Sequence, residues 1–249
     1  GLVAREAQFV RKHSRCEPKV ALPSPYLLGL RMWDEESSAR AYPSREAFMR
    51  ALVPVLRGEL EALRDAGVRH VQFDDPHLCL FVDPRVRRQY DDPVAEMDLC
   101  VELLNEIIDG FDDLSTAVHL CRRNKARQGW VGEGGYGPIM PHLARLNVKA
   151  YMLEFAIPVA GDYDVLTQLP EDRRIGLGCV DCRGERVDTP EEIVARVEGA
   201  LEFVAADRLF LHPDCGFAPG SAADIPMDEA YAKLQAEVEA AARLRDTYG

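Results

Sequence analysis

No apolar run in this chain approaches the roughly 18 residues that cross a bilayer, so no segment reads as a transmembrane helix. A basic excess is also missing. Lys and Arg total 30 against 42 Asp and Glu, a formal net charge of −12. Binding a duplex needs a cationic face to displace counterions from phosphate, so nucleic acid is not an expected partner. There is no internal repeat, low-complexity tract or long linker. Neither a Walker loop nor GxSxG is present. The glycine-rich Gly132-Glu133-Gly134-Gly135-Tyr136-Gly137 has the GxGxxG spacing, but it does not directly follow a strand as a dinucleotide fingerprint does, and it reads as a loop over a site. Gly1–Lys12 is amphipathic and charged and lacks the apolar region of a signal peptide. The seven cysteines are odd in number in a chain of 249 residues, which excludes a small disulfide scaffold. A reducing cytoplasm is the expected setting.

What is present suffices for a sizeable core: 47% of residues are hydrophobic and 29% charged. One domain over residues 1–249 is the expected organisation. Six β-sized apolar runs recur: Lys19–Leu22, His70–Phe73, Thr116–Leu120, Ala150–Phe155, Arg174–Val180 and Arg208–His212. Helical patterns separate them. Ser44 caps a helix running to Gly67, with Phe48, Leu52, Leu56, Leu60 and Leu63 on one stripe and a bend at Pro54. Asp92-Pro93 opens another, with Met97, Val101, Leu104 and Ile108 inward. Thr189-Pro190-Glu191-Glu192 is a capping box before Ile193, Val197 and Leu201. A last helix, Met227 to about Arg245, carries Tyr231, Leu234 and Val238. Alternating strands and helices predict a parallel sheet, barrel-like or open. A closed (β/α)8 barrel needs eight such units.

In parallel α/β folds chemistry sits at the C-terminal ends of strands. Five successive strand ends here carry acids or metal-ligating residues: Asp74-Asp75, His119 with Cys121, Glu154, Cys179 to Arg183, and His212 to Cys215. His119 and Cys121, two apart on an extended strand, share a face. With Glu154 and Cys215 they make a candidate tetrahedral zinc shell, and the soft thiolates favour zinc over magnesium or calcium. The alternative leaves Cys121 and Cys215 as small buried hydrophobes and Glu154 as an acid paired with an arginine. Cys179 and Cys182 end a strand rather than open a helix. That argues against a redox pair and for a place in the core or around the site. Trp33 and Trp130 fall in loops, as an aromatic wall or in ordinary packing.

The pattern resembles the catalytic barrel of the cobalamin-independent methionine synthase family. Its carriers are Gln72-Phe73-Asp74-Asp75-Pro76, His119-x-Cys121, Leu153-Glu154 with Asp164 beyond, and Pro213-Asp214-Cys215-Gly216. Cys121-Arg122-Arg123-Asn124, Gly134-Gly135-Tyr136 and Cys215-Gly216-Phe217 are more similar to short single-barrel members and the related epoxyalkane–coenzyme M transferases. The resemblance implies a TIM-type barrel of which this chain carries about the last six βα units. It implies zinc held by His119, Cys121, Glu154 and Cys215. Asp74 would face the substrate and hold an amino group, with Asp75 and Glu154 also at the substrate. The reaction implied is alkyl transfer to a small-molecule thiol, first of all from a methyl-folate donor to homocysteine, with an epoxide or another alkyl donor as the alternative. A binding or accessory barrel that keeps the zinc is a third reading, and an oligomer or partner subunit is compatible with all three. Where full methionine synthases carry a histidine after the fifth of these strands, this chain has Arg183. Arginine is a poor general acid, and the expectation is an anion anchor at the reacting centre.

Overall fold

The structure, a computed structural model, describes residues 1–217 and 225–249. Its strands are β1 (Lys19–Pro23), β2 (His70–Asp74), β3 (Ser115–Leu120), β4 (Ala150–Glu154), β5 (Arg174–Val180) and β6 (Leu209–Pro213). They form one sheet in sequence order, every neighbour parallel. Among the described residues β1 and β6 are each paired on one side, so the sheet is open between them. The helices are α1 (Ala4–His13), α2 (Pro25–Met32), α3 (Glu35–Ser38), α4 (Arg45–Asp65), α5 (Pro76–Leu80), α6 (Pro84–Arg87), α7 (Pro93–Ile108), α8 (Met140–Leu143), α9 (Pro190–Leu201) and α10 (Met227–Tyr248). None of the described helices is long and apolar enough to cross a membrane.

Alternation along each strand divides the sheet into two faces. Val71, Phe73, Val118, Leu120, Tyr151, Leu153, Ile175 and Leu177 enter one apolar core with α4, α7 and α9. The opposite face carries Gln72, Asp74, His119, Met152 and Glu154, so the polar residues that end the strands converge there.

Local chemistry sets the helix ends. Ser44 accepts the Ala47 N–H at the start of α4. Asp92 caps α7, and the Thr189–Glu192 box at α9 is complete in both directions. The α4 stripe differs from the pattern expected. On α4 the buried line is Met49, Val53, Leu56, Leu60 and Leu63 rather than one through Phe48 and Leu52. Strict steps of four drift round a helix of 3.6 residues per turn, and Met49 and Val53 keep the line straight. On α10 the large apolar side chains lie outward. Tyr231, Leu234 and Val238 are exposed, and Lys233, Ala236, Ala240 and Leu244 are buried. The small alanines let α10 lie close on α9, and the Lys233 ammonium is satisfied by the Gly184 carbonyl and Glu229.

Candidate metal centre

The end of β3 with the residue after it, the end of β4 and the turn after β6 bring four side chains to one point. Ligand atoms of His119, Cys121, Glu154 and Cys215 all lie within 4.8 Å of one another. His119, Cys121 and Glu154 are buried and Cys215 is half-buried. Cys121 Sγ and Cys215 Sγ are 3.6 Å apart and both thiols are free. Zinc–sulfur bonds of about 2.3 Å in a tetrahedron set sulfurs about 3.8 Å apart, so this spacing suits two ligands of one ion. His119 Nδ1 is buried without a hydrogen-bond partner, an atom that closing a metal shell would account for. The donor set of two thiols, an imidazole and a carboxylate fits zinc.

The electrostatics already favour a thiolate. Hydrogen bonding from Cys121, then from Cys182, with His119 also beside it, holds the Cys215 thiol far below its usual range. The Cys121 thiol is pushed well up, first by its bond to Cys215 and then by burial. Burial acts against a charged His119, but the Cys215 sulfur beside it more than reverses that and raises the ring overall.

Glu154 is held from several directions. Arg183 Nη2 donates to its Oε1 at 2.6 Å, and the Arg122 N–H donates to its Oε2 at 3.1 Å. Its own N–H donates to the Tyr136 hydroxyl at 2.8 Å. Tyr136 in turn accepts from the buried Arg122 guanidinium, which also stacks on its ring with 4.3 Å to the centroid. Behind Arg183 lies Asp214, 3.4 Å from Nη1, with its Oδ1 taking the N–H groups of Phe155 and Ala156 at 3.0 Å each. Burial and nearby Glu154 push the Asp214 carboxyl well up. Gly178 makes room for this carboxyl. A Cβ there would strike Asp214 and come within 2.7 Å of the Leu153 carbonyl.

Residues 30–243 match the catalytic domain of the cobalamin-independent synthase family. The chain belongs to this family. YxjH of Bacillus subtilis, an uncharacterised protein, is 29% identical over 90% of this chain and 60% of its own length. The methionine synthase of Pyrococcus horikoshii is 27% identical over 86% of this chain and 55% of its own. This chain thus spans somewhat more than half the length of these curated relatives. The solved B12-independent methionine synthase from a Shewanella species superposes with a TM-score of 0.79 at 24% identity, covering 98% of this chain and 67% of that one. That likeness identifies the six parallel βα units as the architecture of such a TIM-type barrel.

The other residues singled out in the sequence fall as follows. Asp74 ends β2 beside His119 in register, half-buried, with Gln72 Nε2 donating to its Oδ1 at 2.5 Å. Asp75, expected at the substrate, is instead fully buried and caps α5 by accepting the Leu78 N–H at 2.9 Å. An Asp before a Pro that opens a helix is a natural cap, and this role turns its side chain away from the site. Arg183 is not an open anion anchor. It is 2% exposed, with both Nη atoms on carboxylates. Cys182 is buried beside the site, where the Asn124 amide donates to its sulfur at 3.3 Å, and Cys179 lies in the core. Trp33 and Trp130 are half-buried and pack, Trp33 against Phe48. Arg122, Tyr136 and Asp214 lie in stretches that carry the family resemblance, but the Arg122–Tyr136 pairing and the contact of Asp214 with Arg183 are not readable from sequence. The signal for Asp214 was its place next to Cys215, and for Tyr136 the glycines that flank it.

Proposed function

We propose that this chain is the catalytic part of a zinc-dependent thiol alkyltransferase, with methyl transfer from a 5-methyltetrahydrofolate-type donor to homocysteine as its reaction. The observation that carries this reading is the convergence of His119, Cys121, Glu154 and Cys215 within 4.8 Å at the ends of three strands. Family membership supports it. Zinc bound there supplies Lewis acidity that keeps a substrate thiol ionised at neutral pH. The residues do the rest. The thiols and His119 form the anchoring set, and Glu154 is the hard, replaceable oxygen among softer donors. Asp74, oriented by Gln72, offers a carboxylate to an amino group on the thiol substrate. Tyr136 and Arg122 fix the Gly132–Gly137 loop against β4. Among the described residues the Nη atoms of Arg183 are already paired with carboxylates, which speaks against its anchoring a sulfonated thiol.

The test begins with metal content by plasma mass spectrometry. About one zinc per chain is expected, and Cys215→Ser should lose it while keeping its circular dichroism. A folded wild-type protein that takes up no zinc would sink the reading. With zinc established, methyl transfer to homocysteine from methyl-folate is assayed directly.

A further inference from the structure

Arg183 places a fixed positive charge directly behind a metal ligand. Its guanidinium bonds Glu154 Oε1 at 2.6 Å, and the two side chains are 2% and 0% exposed. Resting on the zinc reading above, we propose that Arg183 is a positioning residue that makes Glu154 the ligand that yields when a thiol enters.

Three observations carry this. First, both Glu154 oxygens already have donors, Arg183 on Oε1 and the Arg122 N–H on Oε2. A metal ion must share this carboxylate's charge with a guanidinium, which weakens its hold on the ion. Second, these donors remain where they are when Glu154 lets go, so the released carboxylate is not left as an unpaired buried charge. Third, Arg183 is itself fixed from behind. Asp214 holds Nη1 at 3.4 Å and is anchored by the N–H groups of Phe155 and Ala156, in space that only a glycine at 178 leaves free. Among the described residues no arginine or lysine bonds the Cys121 or Cys215 sulfur, whose neighbours are each other, Cys182 and the fellow ligand His119. A cation so close to the ion also repels it, so the arrangement gives up metal affinity in return for an exchangeable position.

The experiment compares the full chain with Arg183→Met, Arg183→Lys and the double variant Arg183→Met/Asp214→Asn. The double variant removes both buried charges and guards against misfolding from a lone Asp214. Zinc affinity is measured by competition with a chromogenic chelator. Thiol entry is followed by titrating 2-mercaptoethanol into the cobalt(II)-loaded protein and reading thiolate-to-cobalt absorption. Expected is zinc held about tenfold more tightly in Arg183→Met and in the double variant, from the repulsion removed. The same variants should bind 2-mercaptoethanol at least tenfold more weakly, and Arg183→Lys should stay near wild type. An arginine that merely orients Glu154 as a ligand gives the opposite sign, looser zinc in both variants, and that result overturns the proposal. So does unchanged thiol binding alongside tighter zinc. A wild-type chain that takes neither zinc nor cobalt overturns the metal reading itself, and is recognised because every variant is then equally metal-free.

Discussion

Asp74 and Asp75 are adjacent in sequence and have different roles. Asp74 looks onto the polar face beside His119, and Asp75 turns into the protein to cap α5. Burial pushes the Asp75 carboxyl up to about 6, and its Oδ2 has no hydrogen-bond partner. A carboxyl whose folded pKa lies above its unfolded value near 3.9 stabilises the protein fully below about pH 4. That stability is lost as pH rises through about 6. Asparagine keeps the accepting oxygen for the Leu78 N–H and carries no charge. Asp75→Asn should therefore gain on wild type between pH 4 and pH 8, by about 3 kcal/mol, measured by urea unfolding at each pH. A difference that does not change with pH would show that Asp75 ionises in the folded protein at no cost.

At the scale of elements, the ends were easier to read from sequence than the faces. The capping box at α9 exists as read, with Thr189 accepting the Glu192 N–H and Glu192 accepting the Thr189 N–H. Thr189→Ala should cost about 1 kcal/mol in chemical denaturation, and Thr189→Ser much less. Caps are legible because both partners lie within a few residues. The inward side of α10 was not, because Tyr231, Leu234 and Val238 make as good an apolar stripe as Ala236, Ala240 and Leu244. Close packing chose the small residues, a choice set by α9 and β6 rather than by local pattern. The same distinction runs through the metal centre. His119 and Cys121 share a face by strand periodicity, and Glu154 and Cys215 follow from the rule that chemistry gathers at strand ends. The partners of Arg183 were not readable. Residue 183 lies 29 positions from Glu154 and 31 from Asp214, and only the sheet brings them together.

For the whole molecule, the order of the sheet decides how the site is assembled. Cys121 follows β3 and Cys215 follows β6, 94 residues later, with β4 and β5 between them. An ion held by both is a cross-link between strands that do not touch. It resembles a staple that closes a long loop, and it forms only after the final strand has docked. Bound metal should therefore raise stability, by about 4 kcal/mol at a thousandfold excess over Kd. The gain should not be spread evenly. Chelation should speed amide hydrogen exchange most in β6 and α10, and least in α1 and α4, whose contacts lie away from the ligands. Equal acceleration everywhere would mean that the ion stabilises the fold as a single unit. Uneven acceleration would make the last strand a gauge of occupancy: its amides would report whether the ion is present before any substrate is added.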